Sequence, residues 1–216
     1  MAIRIALMTH AHAEAVVTVA ALSFPEWEDS GEMLSADQFR HYVDCFPDGQ
    51  FVALTDEPLE GESNVVGYTI SFRTNHPIEG EWGYYYDFVG RGWWTHHEPD
   101  GEWLYGVDMG VIPAYRGRGL ARQFYEARSA MVRRLNLRGE LIAGLIPGYA
   151  AHRAAMPIET YVDRVLAGEL FDPTLSVQLR NGFHLRRLLR GYVLDDRSDH
   201  VCTLMTKPNP EYREKT

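Results

Sequence analysis

VIPAYRGRGLA, residues 111–121, joins the end of an apolar strand to the start of a helix. Pro113 follows the strand, Arg-Gly-Arg-Gly comes shortly after, and apolar residues then recur every three or four positions as far as Leu135. The first amides of such a helix lack partners, the helix dipole adds roughly half a positive charge there, and glycines allow a ligand to approach the backbone closely. The junction therefore predicts a binding site for a phosphate or diphosphate group.

The charge of the chain is concentrated around this junction. The formal net charge is -9, yet residues 116–138 hold seven arginines and the single acid Glu126, a local charge of +6. One segment is thus suited to anions, while the remainder of the chain is acidic. A nucleic-acid partner usually needs a broader basic face, so we expect no nucleic-acid binding.

The composition indicates one domain. With 216 residues, 45% of them hydrophobic, the chain can bury one substantial core. Polar residues between Thr9 and Glu14 are atypical of a signal peptide, and no stretch approaches the roughly 18 apolar residues of a membrane helix. Cys45 and Cys202 have no metal or redox spacing, although a disulfide between them stays open. We expect a cytoplasmic protein without a membrane partner or a metal site.

Periodicity and cap signals divide the chain into strands and helices. Strands are predicted at 2–8, 50–55, 65–72, 103–112, 140–146, 184–194 and 199–207. Helices are predicted at 13–22, from Ser35 to Pro47, from 120 to Gly139, after Pro157, and from Asp172-Pro173 to Gly182. We expect a single domain over residues 1–208, with an aromatic loop insertion at 73–102, an extra segment at 147–171 and a polar tail at 209–216.

The junction and its surroundings resemble the acyl-coenzyme A (CoA) binding motif of the GNAT superfamily of N-acyltransferases. The family pattern Gln/Arg-x-x-Gly-x-Gly/Ala is matched by Arg116, Gly119 and Ala121. The order of elements over residues 2–207 resembles the family too, most specifically over 103–146. A dinucleotide-binding fold is the competitor, but the spacing is not G-x-G-x-x-G and four elements precede the motif.

The resemblance implies a fold and a donor site. The fold would be α/β (mixed, α+β type), with a central, mostly antiparallel sheet of about seven strands and helices on both faces. Backbone groups of Met109 and Val111 would hold the pantetheine arm of acetyl-CoA, and no metal would be needed. The diphosphate would lie on the amides of Arg116, Gly117, Arg118, Gly119, Leu120, Ala121 and Arg122.

Acyl transfer to an amine needs a base, because an alkylamine of pKa about 10 is mostly charged at neutral pH. Asp108, on the strand before the motif, is the first candidate for this base, and a purely structural pairing with an arginine is the alternative. His96 and His97 on the aromatic loop are further candidates, although adjacent histidines are more often surface residues.

One position departs from the family pattern. The family usually has a tyrosine, the acid for the departing thiolate, four residues before the glycine of Gly182-Phe183, where this chain has Gln178. Glutamine is no acid near neutral pH, so Tyr149 or Tyr161 is expected to replace it, unless the thiolate leaves unassisted. The segments IPGY and DPTLSVQLRNGF also resemble family members that are joined to a carbon-nitrogen hydrolase.

These observations predict an N-acyltransferase that moves an acetyl group from acetyl-CoA to a small amine by direct attack in a ternary complex. The alternative is a non-catalytic acyl-CoA binding or sensing protein. Acidic loops at 25–32 and 195–199, beside an aromatic loop, favour a cationic acceptor. The sequence leaves open the acceptor, the acyl chain length and the oligomeric state, a homodimer included. The six tryptophans and tyrosines of the aromatic loop are Trp82, Tyr84, Tyr85, Tyr86, Trp93 and Trp94.

Overall fold

A computed structural model describes residues 2–58 and 63–214, in which a seven-stranded sheet lies between helices on both faces. The strands are β1 (Ile3–Leu7), β2 (Phe51–Thr55), β3 (Val65–Thr74), β4 (Trp103–Val111), β5 (Gly139–Leu145), β6 (His184–Arg190) and β7 (Val201–Pro208). The helices are α1 (Ala13–Ser23), α2 (Ala36–Cys45), α3 (Tyr85–Phe88), α4 (Leu120–Arg134), α5 (Ile158–Leu166) and α6 (Leu175–Arg180). No helix in these two ranges is long and apolar enough to cross a membrane.

The sheet has the strand order β1-β2-β3-β4-β5-β7-β6. All neighbouring strands are antiparallel except β4 and β5, which run parallel. Their pairing stops at Gly106 and Ile142, so the two strands diverge beyond that point. The predicted fold class is confirmed, and the sheet contains an opening between its two central strands.

A bulge in β4 sets which side chains face each side of this opening. The register against β3 shifts between Ile70 and Ser71, which leaves Val107 as the extra residue. A Cβ at Gly106 would collide with Arg128 of α4, whereas Asp108 accepts a hydrogen bond from Tyr68, whose ring packs against Phe39 of α2. Gly106 therefore faces α4, and Asp108 faces the α1 and α2 side.

The aromatic loop is packed onto the core on the α2 side. Trp94 stacks on Tyr42 with ring centroids 3.8 Å apart, and the Tyr42 hydroxyl donates to the Gly92 carbonyl at 2.5 Å. Trp82 is buried against Phe88 and Tyr105. The segment without clear periodicity is thus held by aromatic contacts, with α3 as its one helical turn in the described chain.

On the opposite face, the extra segment is tied to α6 through one buried carboxylate. Asp172 Oδ1 accepts from the amides of Thr174 and Leu175, both at 2.8 Å, as an N-terminal cap does. Its Oδ2 accepts from the Tyr161 hydroxyl at 2.9 Å and the Gly148 amide at 3.0 Å. Asp172 therefore accepts from the first amides of α6 and fixes α5 and the turn before it, although the N-cap residue is Thr174, two residues beyond the predicted Asp172.

The end of α4 differs from the expectation that Gly139 terminates it. The helix stops at Arg134, and Asn136 takes the left-handed conformation with φ 48°. Gly139 instead opens β5 with φ 156°, where a Cβ would collide with the Lys207 carbonyl of β7. Position 139 thus requires a glycine because β7 approaches the backbone closely there.

Candidate active site

Three adjoining cavities run from the start of α4 through the opening between β4 and β5 to the aromatic loop. The phosphate cavity, about 960 Å³, lies at residues 116–122. The central cavity, about 260 Å³, lies between the diverging strands and shares Ala121 and Val177 with the phosphate cavity. The aromatic pocket, about 30 Å³, shares Val107 and Asp108 with the central cavity. Together they connect the two faces of the sheet.

The phosphate cavity is formed by the turn that the sequence singled out. Gly117 and Gly119 have φ 73° and 77°, a conformation that glycine adopts at no steric cost, and open space lies where their side chains would be. The bond from the Gln123 amide to the Gly119 carbonyl, 3.1 Å, is the first of the α4 ladder. The amides of residues 120–122 therefore have no partner within the helix and are available to an anion.

The arginines of the turn brace it. The Arg116 side chain donates to the carbonyls of Val111 and Ser23, both at 3.0 Å. Arg118 lies over the Tyr115 ring at 5.0 Å, and Arg122 pairs with Glu126 at 2.8 Å. Arg116 thus fixes the turn to β4 and to the end of α1, which leaves the backbone of the turn as the predicted anion site.

Met109 and Val111 present backbone groups to the opening. The Ile112 amide donates to the Val66 carbonyl at 3.2 Å, so the backbone groups of alternate residues, Met109 and Val111, point away from β3. The Met109 amide is bonded to Asp108 and the Val111 carbonyl to Arg116, so the Met109 carbonyl and the Val111 amide are the groups left to face the space beyond the β4–β5 pairing, which ends at Gly106. A pantetheine arm placed here would hydrogen-bond to β4 as an additional strand does.

Asp108 lies where the central cavity meets the aromatic pocket. Its Oδ2 accepts from the Tyr68 hydroxyl and its Oδ1 accepts from the Met109 amide at 2.7 Å. Burial raises the pKa of Asp108 above its ordinary value, although these two hydrogen bonds act in the opposite direction. The predicted pairing with an arginine is absent from its described contacts, and its partners are a phenol and an amide.

The aromatic pocket is built from the aromatic loop and the two N-terminal helices. Tyr85, Tyr86 and Trp94 of the loop form part of its wall, and Asp108 lies in the wall it shares with the central cavity. Glu32 also lines it and accepts a hydrogen bond from Tyr84. The pocket therefore combines ring faces with two carboxylates, which suits a small cationic group.

The two acidic loops meet at Arg197, which partly neutralises them. Arg197 pairs with Glu26 at 2.7 Å and with Asp195 at 2.5 Å, which joins the loop after α1 to the turn before β7. The hydrogen bonds from Arg197 hold the pKa of Asp195 below its usual value despite partial burial. The side chains of Glu28 and Asp29, which the sequence counted among these acids, lie outside the described residues.

Gln178 lies in the wall of the central cavity, as its alignment with the family tyrosine predicts. It is 5% exposed, and its Oε1 has no hydrogen-bond partner among the described residues. Its side chain packs on Gly144 of β5 and lies beside Tyr125 of α4, which lines the same cavity. A phenol is therefore present beside Gln178, on a different helix from the one that the family pattern indicates.

The tyrosines expected to replace the missing acid have other contacts. The Tyr149 hydroxyl donates to the Met156 carbonyl at 3.1 Å, and the Tyr161 hydroxyl donates to Asp172. Neither lines the central cavity. His96 is exposed, and His97 stacks on Phe46 at 5.5 Å with its Nδ1 accepting from the Arg73 amide, away from the three cavities.

Sequence reasoning missed Tyr125 and Arg128, both of which line the central cavity. Arg128 was hidden among seven arginines that looked like surface residues, yet it is 2% exposed. Its place beside the apolar stripe of α4, one residue after Ala127, was the signal that could have indicated burial. Within residues 2–58 and 63–214, no group of three or more His, Cys, Asp and Glu side chains could hold a metal ion.

Two relatives match the sequence. The chain is 36% identical over 172 residues to "Probable hydrolase YhcX" of Bacillus subtilis (strain 168), which covers 79% of this chain and 32% of that protein. The chain thus spans about a third of the length of that relative. It is 27% identical over 206 residues to "Uncharacterized N-acetyltransferase YkwB" of the same organism, covering 95% of this chain and 88% of that protein. No protein-family model matches the chain.

Solved structures match most of the chain. The GphF GNAT-like decarboxylase in complex with isobutyryl-CoA has a TM-score of 0.78 at 22% identity, covering 95% of this chain and 99% of that one. The loading GNATL domain of CurA from Lyngbya majuscula has a TM-score of 0.76 at 17% identity, covering 97% and 98%. The resemblance to the GNAT superfamily is confirmed: the chain has the GNAT fold, with its sheet opening between β4 and β5.

Proposed function

We propose that the protein is an acyl-CoA dependent N-acyltransferase that acts on a small amine by direct attack in a ternary complex. The observation that supports this most is the position of Asp108 in the walls of both the central cavity and the aromatic pocket. A thioester in the first and an amine in the second would meet at its carboxylate. Acetyl is the simplest acyl group for this reaction.

The base in this proposal is Asp108. Because an alkylamine of pKa about 10 reaches the site mostly as the ammonium, a proton must leave before the nitrogen can attack. Burial raises the pKa of Asp108, which makes its carboxylate a better proton acceptor than an exposed aspartate. Tyr68 and the Met109 amide hold the carboxylate in place.

The leaving thiolate in this proposal is met by Tyr125. Burial raises the pKa of Tyr125 to about 12, so its hydroxyl stays protonated and can donate a hydrogen bond to the sulfur as negative charge develops. Gln178 lines the same wall of the central cavity as this hydroxyl. The described contacts of Tyr149 and Tyr161 favour Tyr125 over both for this role.

The acceptor in this proposal is small and cationic. The aromatic pocket is closed by Tyr42, Trp94 and Tyr85 and has room for a head group of few atoms. Glu32 at its wall adds a negative charge for a second ammonium. Macromolecular amines would have to thread a narrow end into this pocket.

A screen tests the proposed function. Protein is incubated with acetyl-CoA and a broad panel of amines while free thiol is followed. We expect at least one small cationic amine to raise thiol release above background and to be recovered as its amide by mass spectrometry. CoA binding without amine-dependent release for any member of the panel would support the non-catalytic alternative instead.

A further inference from the structure

The central cavity has a buried positive charge in its wall. Arg128, in the third turn of α4, is 2% exposed, and its Nε and Nη2 have no hydrogen-bond partner among the described residues. A buried guanidinium normally has its N–H groups satisfied, since leaving them bare costs a desolvation penalty. The unsatisfied atoms therefore point to a ligand that supplies acceptors.

A single buried carboxylate compensates this charge, without a hydrogen bond. Glu140 of β5 is 1% exposed and forms an ion pair with Arg128, Nε to Oε2 3.1 Å, outside hydrogen-bond geometry. The same carboxylate also serves Lys207, because Lys207 donates to Ser129 at 2.8 Å and Ser129 donates to Glu140 at 2.7 Å. The carboxylate that pairs with Arg128 is thus also linked, through Ser129, to a second cation. The acid that lines the central cavity is Asp108, which accepts a hydrogen bond from Tyr68 on the opposite face of the sheet.

The position of Arg128 matches the acyl end of a bound thioester. Arg128 is seven residues, about 10 Å, beyond Ala121 on α4, and Ala121 lies where the phosphate and central cavities join. The guanidinium covers Gly106, two residues or about 7 Å along β4 from Asp108. A thioester carbonyl beside Asp108 would place the third or fourth carbon of its acyl chain near the guanidinium.

We propose that the acyl donor is a CoA thioester of a short dicarboxylic acid, three or four carbons long, whose free carboxylate pairs with Arg128. The proposal deepens the acyl transfer proposed above and rests on it for the identity of the cavity. Guanidinium and carboxylate form charge-assisted hydrogen bonds that neutral acyl chains cannot make. Tyr125, 5.7 Å from ring centroid to guanidinium, and Gln178 supply further donors to the same wall.

Binding of matched thioesters tests this without any amine. Succinyl-CoA and butyryl-CoA differ by a carboxylate in place of a methyl group, as do malonyl-CoA and propionyl-CoA. We expect at least one carboxylate partner to bind about tenfold tighter than its methyl counterpart, with mass spectrometry verifying that the thioester is intact afterwards. The proposal would be overturned if both carboxylate thioesters bound with the same affinity as their methyl counterparts, or more weakly. Equal affinities are also what a role of Arg128 toward the thiolate alone predicts.

Charge-changing variants assign the effect to this pair. The double variant Arg128→Gln with Glu140→Gln removes one charge of each sign and should abolish the preference. Glu140→Gln alone leaves the guanidinium less compensated and should increase the preference, so it tests the proposal even where the double variant folds poorly. Arg164→Gln with Glu169→Gln, an exposed pair on and after α5 at 3.8 Å, is the control and should leave it unchanged. A preference that neither Glu140→Gln nor the double variant alters would contradict the proposal.

Failure of this inference and failure of the proposed function give different results. A carboxylate preference without amine-dependent thiol release would support the anion site and reject acyl transfer to amines. Amine-dependent thiol release with acetyl-CoA, together with no preference for carboxylate thioesters, would support acyl transfer to amines and reject the anion site.

Discussion

At the scale of the residue, Asp108 carries the chemistry that we propose. The sequence indicated its strand and its side chain, but its partners are Tyr68 and the Met109 amide, and the predicted alternative of an arginine partner is not among its described contacts. Its position depends on the bulge at Val107, which turns it away from α4. No sequence pattern predicted that bulge, because one extra residue in an apolar strand does not change the apolar character from which the strand was predicted.

Replacing this carboxylate should separate stability from activity. We expect Asp108→Asn to lower the rate at neutral pH by about 100-fold and by less at high pH, where the amine deprotonates unaided. Because burial raises the pKa of Asp108 in the folded protein, its ionisation costs stability as pH rises above about 4. The variant should therefore melt at a higher temperature than the native protein at neutral pH, and the gain should disappear below about pH 4. An equal rate loss at both pH values would make Asp108 structural.

The two candidate sites for a phenolic donor can be distinguished directly. We expect Tyr125→Phe to lower kcat by about tenfold while leaving KM for acyl-CoA nearly unchanged, because its hydrogen bond to sulfur forms as charge develops. Tyr149→Phe and Tyr161→Phe remove hydroxyls that donate to the Met156 carbonyl and to Asp172, away from the central cavity, and should lower thermal stability. If Tyr149→Phe or Tyr161→Phe lowers kcat and Tyr125→Phe does not, the assignment to Tyr125 is wrong.

At the scale of the element, the turn before α4 forms a donor site because three features coincide. Two left-handed glycines expose the helix amides, Arg116 anchors the turn to neighbouring carbonyls, and β5 leaves the side of β4. The glycines and the strand-helix order were visible in the sequence. The role of Arg116 as a brace was not, since an arginine beside a phosphate site is equally expected to bind the ligand.

A valine at the helix start should damage this donor site. At φ 77° a branched side chain strains the backbone of Gly119 and projects into the open space where the diphosphate is expected. We expect Gly119→Val to weaken CoA binding at least about tenfold, or about 1.4 kcal/mol, in a titration with CoA. Gly168 has the same φ of 77° and open surroundings away from the cavities, so Gly168→Val is the matched control. Equal CoA affinity in the two variants would show that the diphosphate lies elsewhere.

At the scale of the whole molecule, the sequence predicted the seven strands and the long helices because their hydrophobic periods are regular. It did not predict how residues 73–102 pack, since contacts such as Trp94 on Tyr42 join distant segments without any local period. The burial of Arg128 was not predicted for a related reason: it depends on contacts with Glu140 of β5 and with the central cavity, which the hydrophobic period of α4 does not encode.

The carboxylates around the aromatic pocket should attract a cationic acceptor over a long range. We expect the apparent KM of the best cationic acceptor to rise with salt, because ions screen the attraction of carboxylates such as Glu32. Glu32→Gln should raise that KM and flatten its salt dependence, while Asp100→Asn, at an exposed site of the aromatic loop, should change neither. A salt-independent KM in the native protein, or a preference for anionic amines, would rule out electrostatic selection.

The central claim is that donor and acceptor meet through the sheet at Asp108. The most direct measurement is the affinity of a conjugate in which an acetyl linker joins the CoA sulfur to the nitrogen of the best acceptor from the amine screen. Because one molecule would then fill all three cavities, we predict binding at least about 100-fold tighter than that of CoA alone. A conjugate that binds no more tightly than CoA would contradict the account.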